Sequence, residues 1–210
     1  DFRGLISTKS FCQNPAPTAY RIERRRKTYM EYNEQIRLHD GRICVLKNAE
    51  GVDAQAFLEY FRTAHGETEY LTTYPDEPMH TPEEMAERLE RRRESETDIE
   101  ICAFVDGRLV GSAGNRLVSA RDKTKHRADY GISILKAYWG LGIGSALTAA
   151  CIACAKKAGL LQLELEAVSE NAAAIALYTK FGFTEYGRNP RGFRTRDGRW
   201  QELVLMRLAL

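Results

Sequence analysis

Between Ala128 and Ser145 a short apolar strand runs through a turn with glycine at 140, 142 and 144 and opens a long amphipathic helix. That unit ties a strand to a helix within one stretch of chain and sets a mixed α/β architecture. Glycine has no Cβ, so the backbone at these positions bends tightly and can approach a ligand closely. The first amides of a helix starting near Gly142 have no intrahelical acceptor. Together with the positive end of the helix dipole they form an anion site suited to phosphate. The competing reading is a plain strand-to-helix connection, since short glycine patterns also arise by accident.

The surrounding chain supplies the other elements. A strand is expected at about Arg42 to Lys47, then an amphipathic helix from about Val52 to Thr63 with Phe57, Leu58 and Phe61 on one face. Thr81-Pro82-Glu83-Glu84 has capping-box spacing and starts a charged helix reaching about Arg93. Strands follow at about Glu100 to Val105 and Leu109 to Leu117, joined by the hairpin signal Asp106-Gly107. After the strand Asp129 to Leu135 and the glycine turn, the helix extends to about Ala158. A strand at Gln162 to Val168, a helix from about Asn171 to Phe181 closed by Gly182, and a last hairpin through Thr184 to Tyr186 and Glu202 to Arg207 complete the order. No internal repeat is visible.

Charge and cysteine usage narrow the function classes. The formal net charge is +2, yet residues 1–29 hold seven basic residues against Asp1 and Glu23, so the remainder is mildly acidic. An acidic body suits a cationic substrate better than nucleic acid. Residues 1–40 are expected to be an N-terminal basic extension outside the core fold, its basic excess lying within residues 1–29, and the main domain to span residues 41–210. The run Arg24 to Lys27 reads as a solvated tail. No apolar stretch approaches the roughly 20 residues a membrane span needs. The five cysteines are odd in number and scattered, which points to a reducing cytoplasm. Cys151 and Cys154 share one helical stripe with Leu147 and Ala155 and read as core, not as a metal site.

Two short signatures in order then resemble the GNAT superfamily of N-acetyltransferases. Trp139-Gly140-Leu141-Gly142-Ile143-Gly144 is similar to its pyrophosphate loop, Arg/Gln-x-x-Gly-x-Gly/Ala. Further on, Asn171, Ala174, Tyr178, Gly182 and Phe183 match Asn-x-x-Ala-x-x-x-Tyr-x-x-x-Gly-Phe. The resemblance runs from about Arg42 to Leu208. It implies a central, mostly antiparallel sheet with one splayed parallel strand pair and flanking helices, and acetyl-CoA as co-substrate without a metal. Trp139 stands where the family has Arg or Gln, as in a bacterial branch reading Tyr-Trp-Gly-x-Gly-Ile-Gly, so only the backbone contacts carry over there.

By that resemblance the strand bearing Ile132 and Ile134 leaves backbone groups for the pantetheine amides, and the segment Trp139, Gly140, Leu141, Gly142, Ile143, Gly144 and Ser145 takes the diphosphate. Asn171, Ala174 and Tyr178 line the cofactor from the next helix. Tyr178 is the expected general acid, because a phenol holds its proton at neutral pH and can give it to a departing thiolate. The base is open between Asp129, in the pattern His126-x-x-Asp129-x-Gly131-Ile132, His126 itself, and Glu67 in the loop that carries Tyr70 and Tyr74. The acceptor is expected to be an amine on a small molecule or protein, with no nucleic acid or membrane partner. A homodimer through Trp200, Leu203, Leu205 and Leu208 of the last strand is a further expectation.

Rival readings fit less well. A dinucleotide fingerprint would need glycine where Ser145 stands, and its first glycine would follow the strand directly. The Walker pattern lacks its lysine after the last glycine. A non-catalytic module that binds acetyl-CoA shares every cofactor residue, and turnover alone separates it from an enzyme.

Overall fold

The computed structural model describes residues 30–210; residues 1–29 of the expected extension lie outside them. The fold starts earlier than the sequence indicates. A strand β1 (Asn33–Arg37) pairs antiparallel with β2 (Ile43–Asn48), and Met30 and Leu38 are buried in the core. Residues 33–38 therefore belong to the domain, and the boundary expected near residue 40 is corrected to no later than Met30. The reason β1 escapes notice is physical: Asn-Glu-Gln-Ile-Arg is an edge strand with four of five residues exposed, so it shows no apolar alternation.

The remaining elements are α1 (Ala54–Gly66), α2 (Pro82–Arg93), β3 (Ile99–Val105), β4 (Arg108–Leu117), β5 (Arg127–Ile134), α3 (Ile143–Lys157), β6 (Gln162–Val168), α4 (Ala172–Lys180), β7 (Thr184–Arg194) and β8 (Trp200–Ala209). The eight strands form one sheet in the order β1-β2-β3-β4-β5-β6-β8-β7. All pairings are antiparallel except β5 with β6. The architecture is the mixed α/β sheet with flanking helices that the sequence implies.

Local chemistry explains the element ends. Thr81 Oγ1 accepts from Glu84 N at 3.2 Å while Glu84 Oε2 accepts from Thr81 N at 2.9 Å, and Pro82 opens the helix. Such a cap contributes about 1 kcal/mol. Asp106 and Gly107 both have positive φ, as a two-residue hairpin turn requires.

Alternation along β5 assigns the two faces of the sheet. Tyr130 turns its hydroxyl to Thr148 of α3 at 2.9 Å, and Ser133 meets the Tyr60 hydroxyl of α1 at 2.6 Å. Helix α3 therefore lies on one face, with Leu147, Cys151 and Ala155 buried against the sheet, and α1 lies on the other. Cys151 and Cys154 are core residues, their thiols pushed up by burial. The strand offered to a second copy is interior: β8 lies between β6 and β7, and Leu203 is buried. Strand β7 continues to Arg194, past the Tyr186 to which the sequence reading carries that strand.

Candidate active site

Strands β5 and β6 pair only at Arg127–Gln162, Ala128–Leu163 and Asp129–Glu164, then separate. Leu135 N donates to Val110 O at 2.9 Å, so the alternate peptide groups of Ile132 and Ile134 face the gap instead of β4. Trp139 fills part of that gap: its indole Nε1 donates to Ile134 O at 2.7 Å. This is the chemistry of the Arg/Gln departure. The side chain ties the strand end to the glycine turn, leaving both polar groups of Ile132 and the Ile134 N–H facing the gap.

Beyond β5 a single helical turn, Lys136–Tyr138, leads to Gly140 with φ +76° and Gly142 with φ +97°. Gly142 caps α3 in the left-handed region, which a Cβ disfavours, and no side chain caps the helix. The amides of Ile143, Gly144 and Ser145 are thus the orphan donors expected from sequence. A Cβ at Gly144 would stand 3.3 Å from Leu177 Cδ2 and 3.4 Å from Ile134 Cδ1, so the Leu177 side chain would have to shift slightly to admit it.

The turn is braced from the side by the β1–β2 hairpin. His39 N donates to Leu141 O at 3.2 Å, and His39 Nδ1 lies 2.9 Å from Gly140 O. A carbonyl only accepts, so Nδ1 carries the proton. The Arg42 guanidinium lies 5.1 Å over the Tyr138 ring on the same side. Sequence reasoning missed His39 because it lies 101 residues from Gly140 in a stretch assigned to the extension.

Across the gap, α4 presents Tyr178. Its ring is buried edge-on to Tyr130 at 6.2 Å and beside Phe183 at 5.9 Å. No hydrogen bond engages its hydroxyl among the described residues. Burial pushes the phenol up to about 12. Asn171 Oδ1 accepts from Ala174 N at 3.2 Å and caps the same helix. Tyr178, Asn171 and Ala174 all line a cleft of about 930 Å³ that opens on the α1–α2 side and is walled by Tyr60, Phe61 and Asp129.

Residues 67–80 form one wall of this cleft and are strapped to the β7–β8 hairpin. Arg196 pairs with Asp76 at 2.7 Å, Arg196 N donates to Tyr74 Oη at 3.1 Å, and Gln201 Nε2 donates to Glu69 O at 3.3 Å. Tyr70 and Tyr74 both face the cleft. Glu67 is not among the lining residues: its Oε2 accepts from Lys136 N at 2.6 Å, so it anchors the turn after β5. His126 also lies outside the lining; its carbonyl accepts from Leu161 N and Gln162 N. Asp129 is at the cleft, at the last paired position before the strands part, 3.5 Å from Arg116. Among the described residues no three His, Cys, Asp or Glu side chains gather to hold a metal ion, and no helix is long and apolar enough to cross a membrane.

A sheet opened at its one parallel pair, with a helix N-terminus at the end of the opening, offers unpaired strand groups and orphan amides to an extended, anionic ligand. The sequence pattern of the acetyltransferase (GNAT) family matches residues 55–183, and the chain belongs to that family. It is 29% identical over 169 residues to the mycothiol acetyltransferase of Geodermatophilus obscurus, covering 78% of this chain and 51% of that protein. To the L-amino acid N-acetyltransferase of Escherichia coli it is 28% identical over 163 residues, covering 77% and 95%. The chain thus spans about half the length of the first relative and nearly all of the second. Among solved structures, a GNAT-family acetyltransferase from Streptococcus pneumoniae superposes with TM-score 0.77 at 29% identity, over 80% of this chain and 99% of that one. A Salmonella typhimurium structure described with its cofactor acetyl-CoA shares the fold, with TM-score 0.70 at 22% identity, over 80% and 94%.

Proposed function

We propose that this protein transfers an acetyl group directly from acetyl-CoA to a primary amine of a small molecule. The observation that carries the reading is Tyr178, which lines the cleft at the gap between β5 and β6 with a hydroxyl that no hydrogen bond engages among the described residues. Bound acetyl-CoA supplies an activated acyl group and a leaving thiolate. The Ile132 carbonyl and the Ile134 N–H hold the pantetheine amides along the strand, and the amides of Ile143 to Ser145 hold the diphosphate. A donor directed at the thioester carbonyl stabilises the charge that develops there, and the Ile132 N–H, the group on the gap farther from the diphosphate turn, fills that role.

The protons balance within the cleft. The ammonium of the acceptor loses one proton through water to Asp129, the free amine forms the new C–N bond, and as the C–S bond breaks the nitrogen gives its second proton to water while Asp129 passes the first to solvent. Tyr178 protonates the departing sulfur and is restored from solvent. With a phenol held near 12, the acid form is fully populated at neutral pH. A positioned acid contributes typically 10²- to 10⁴-fold to rate.

A module that binds acetyl-CoA without transfer uses the same loop and strand. Tyr178 and Asp129 on one cleft favour the enzyme. The test is free-thiol release with acetyl-CoA and a panel of amines. Thiol above the hydrolysis rate supports transfer, and tight binding with no amine-dependent thiol supports the module.

A further inference from the structure

The charged groups facing the cleft do not pair off completely. On the sheet, Arg92 of α2 reaches down to Glu100, whose carboxylate also takes the Ser112 hydroxyl. Asp129 is matched by Arg116, and Glu164 is held by Arg127. Glu77 Oε1 accepts from Tyr74 N at 2.9 Å. Two groups are left with neither an ion pair nor a backbone hydrogen bond among the described residues. Arg88, half-buried on α2, meets no carboxylate among the described residues; its Nη1 lies 3.4 Å from His80 Nε2, which is a neutral acceptor toward it. Glu166, exposed on the part of β6 that has left β5, has no ion-pair partner among the described residues.

Resting on the acetyltransferase reading, we infer that the acceptor is a small amine that also carries a carboxylate, its carboxylate on Arg88 and its ammonium toward Glu166 and Asp129. An unmatched cation on the helical wall and an unmatched anion beside the gap are complementary to a bipolar molecule. The planar guanidinium suits a carboxylate because it donates two parallel hydrogen bonds. His80, itself 3.6 Å from Glu84, fixes the Arg88 head. Arg92 adds a reason for an anion here: its guanidinium is driven down to about 10, first by burial and then by Arg88 and Arg116. A ligand carboxylate relieves that crowding of like charge. The strap of residues 67–80 walls the cleft, whose volume falls in the range of small-molecule sites.

The experiment compares amino acids with their decarboxylated counterparts, leucine against 3-methylbutylamine and phenylalanine against phenethylamine among them, by thiol release from acetyl-CoA. The expected kcat/KM is at least about tenfold higher for the carboxylate-bearing partner of a pair. Arg88→Gln should bring the ratio to within about twofold, mostly through KM, while Arg88→Lys keeps an intermediate preference. Equal turnover within every pair, an unchanged ratio in Arg88→Gln, or no turnover of any carboxylate-bearing amine overturns the inference. Turnover of plain amines alone would remove this inference and leave acetyl transfer standing. Failure to bind acetyl-CoA would remove both.

Discussion

Tyr178 sits against Tyr130 and Phe183 with a phenol that burial holds near 12, two units above its ordinary 10.0. Because the raised value favours the neutral form, the proton stays on through pH 10 and leaves only as pH passes the folded value. The rate profile should therefore show no Tyr178 limb between pH 8 and 10.5. A descending limb centred near 10 that vanishes in Tyr178→Phe would contradict the placement. Tyr178→Phe itself should lower kcat about 10²-fold or more with little change in acetyl-CoA affinity. His39 makes the opposite split. Losing its donor to Gly140 O loosens the diphosphate turn, so His39→Ala should raise KM for acetyl-CoA by up to about tenfold with kcat nearly kept, and His39→Asn, which retains a donor, should recover most of it. Steady-state kinetics on the pair decides it. Tyr178 and the glycines were legible in the sequence because each signature is local. The bond from Lys136 N to Glu67 was not legible, because the two residues lie 69 apart and leave no local mark.

At the scale of elements, the turn before α3 depends on one backbone conformation. Gly142→Ala puts a Cβ at φ +97° and 3.2 Å from His39 Nε2, which should cost about 1–2 kcal/mol and raise KM for acetyl-CoA. Thermal unfolding reads the first effect. The hinge of the β5–β6 opening is clamped by Arg127 on Glu164, whose carboxyl is thereby held below its ordinary 4.5. A depressed carboxyl contributes stability above its unfolded value and loses it as pH falls through the lower folded value. Glu164→Gln should therefore melt below the parent at pH 7, with the difference closing below about pH 4; a difference independent of pH would show that the charge is not what matters. The opening itself could be expected only through family resemblance. No spacing in β5 or β6 tells where two parallel strands part, because the cause is the neighbouring turn and the indole of Trp139.

For the whole molecule, strand order was the least readable level. β3, β4, β5 and β6 announce themselves by apolar runs, whereas β1 and most of β7 are polar and exposed, so their composition does not mark the edge hairpins they form with β2 and β8. The missed β1 matters, since its hairpin carries His39 to the diphosphate turn and covers the core with Met30 and Leu38. A chain beginning at Met30 should unfold cooperatively near the parent temperature. One beginning at Gly41 should lose several degrees and acetyl-CoA affinity together, because β1, two core side chains and the brace go at once. Matching melting curves for the two would show that β1 is dispensable.

All of these effects presuppose that the gap and the turn hold coenzyme A by main-chain donors. The direct measurement is a calorimetric titration of the folded protein with acetyl-CoA, run in parallel on Gly142→Ala. The expected outcome is one site per chain with a dissociation constant in the range of about 1 μM to 1 mM, weakened in the variant. An absence of binding heat at several temperatures, or equal affinity in the two proteins, would contradict the account.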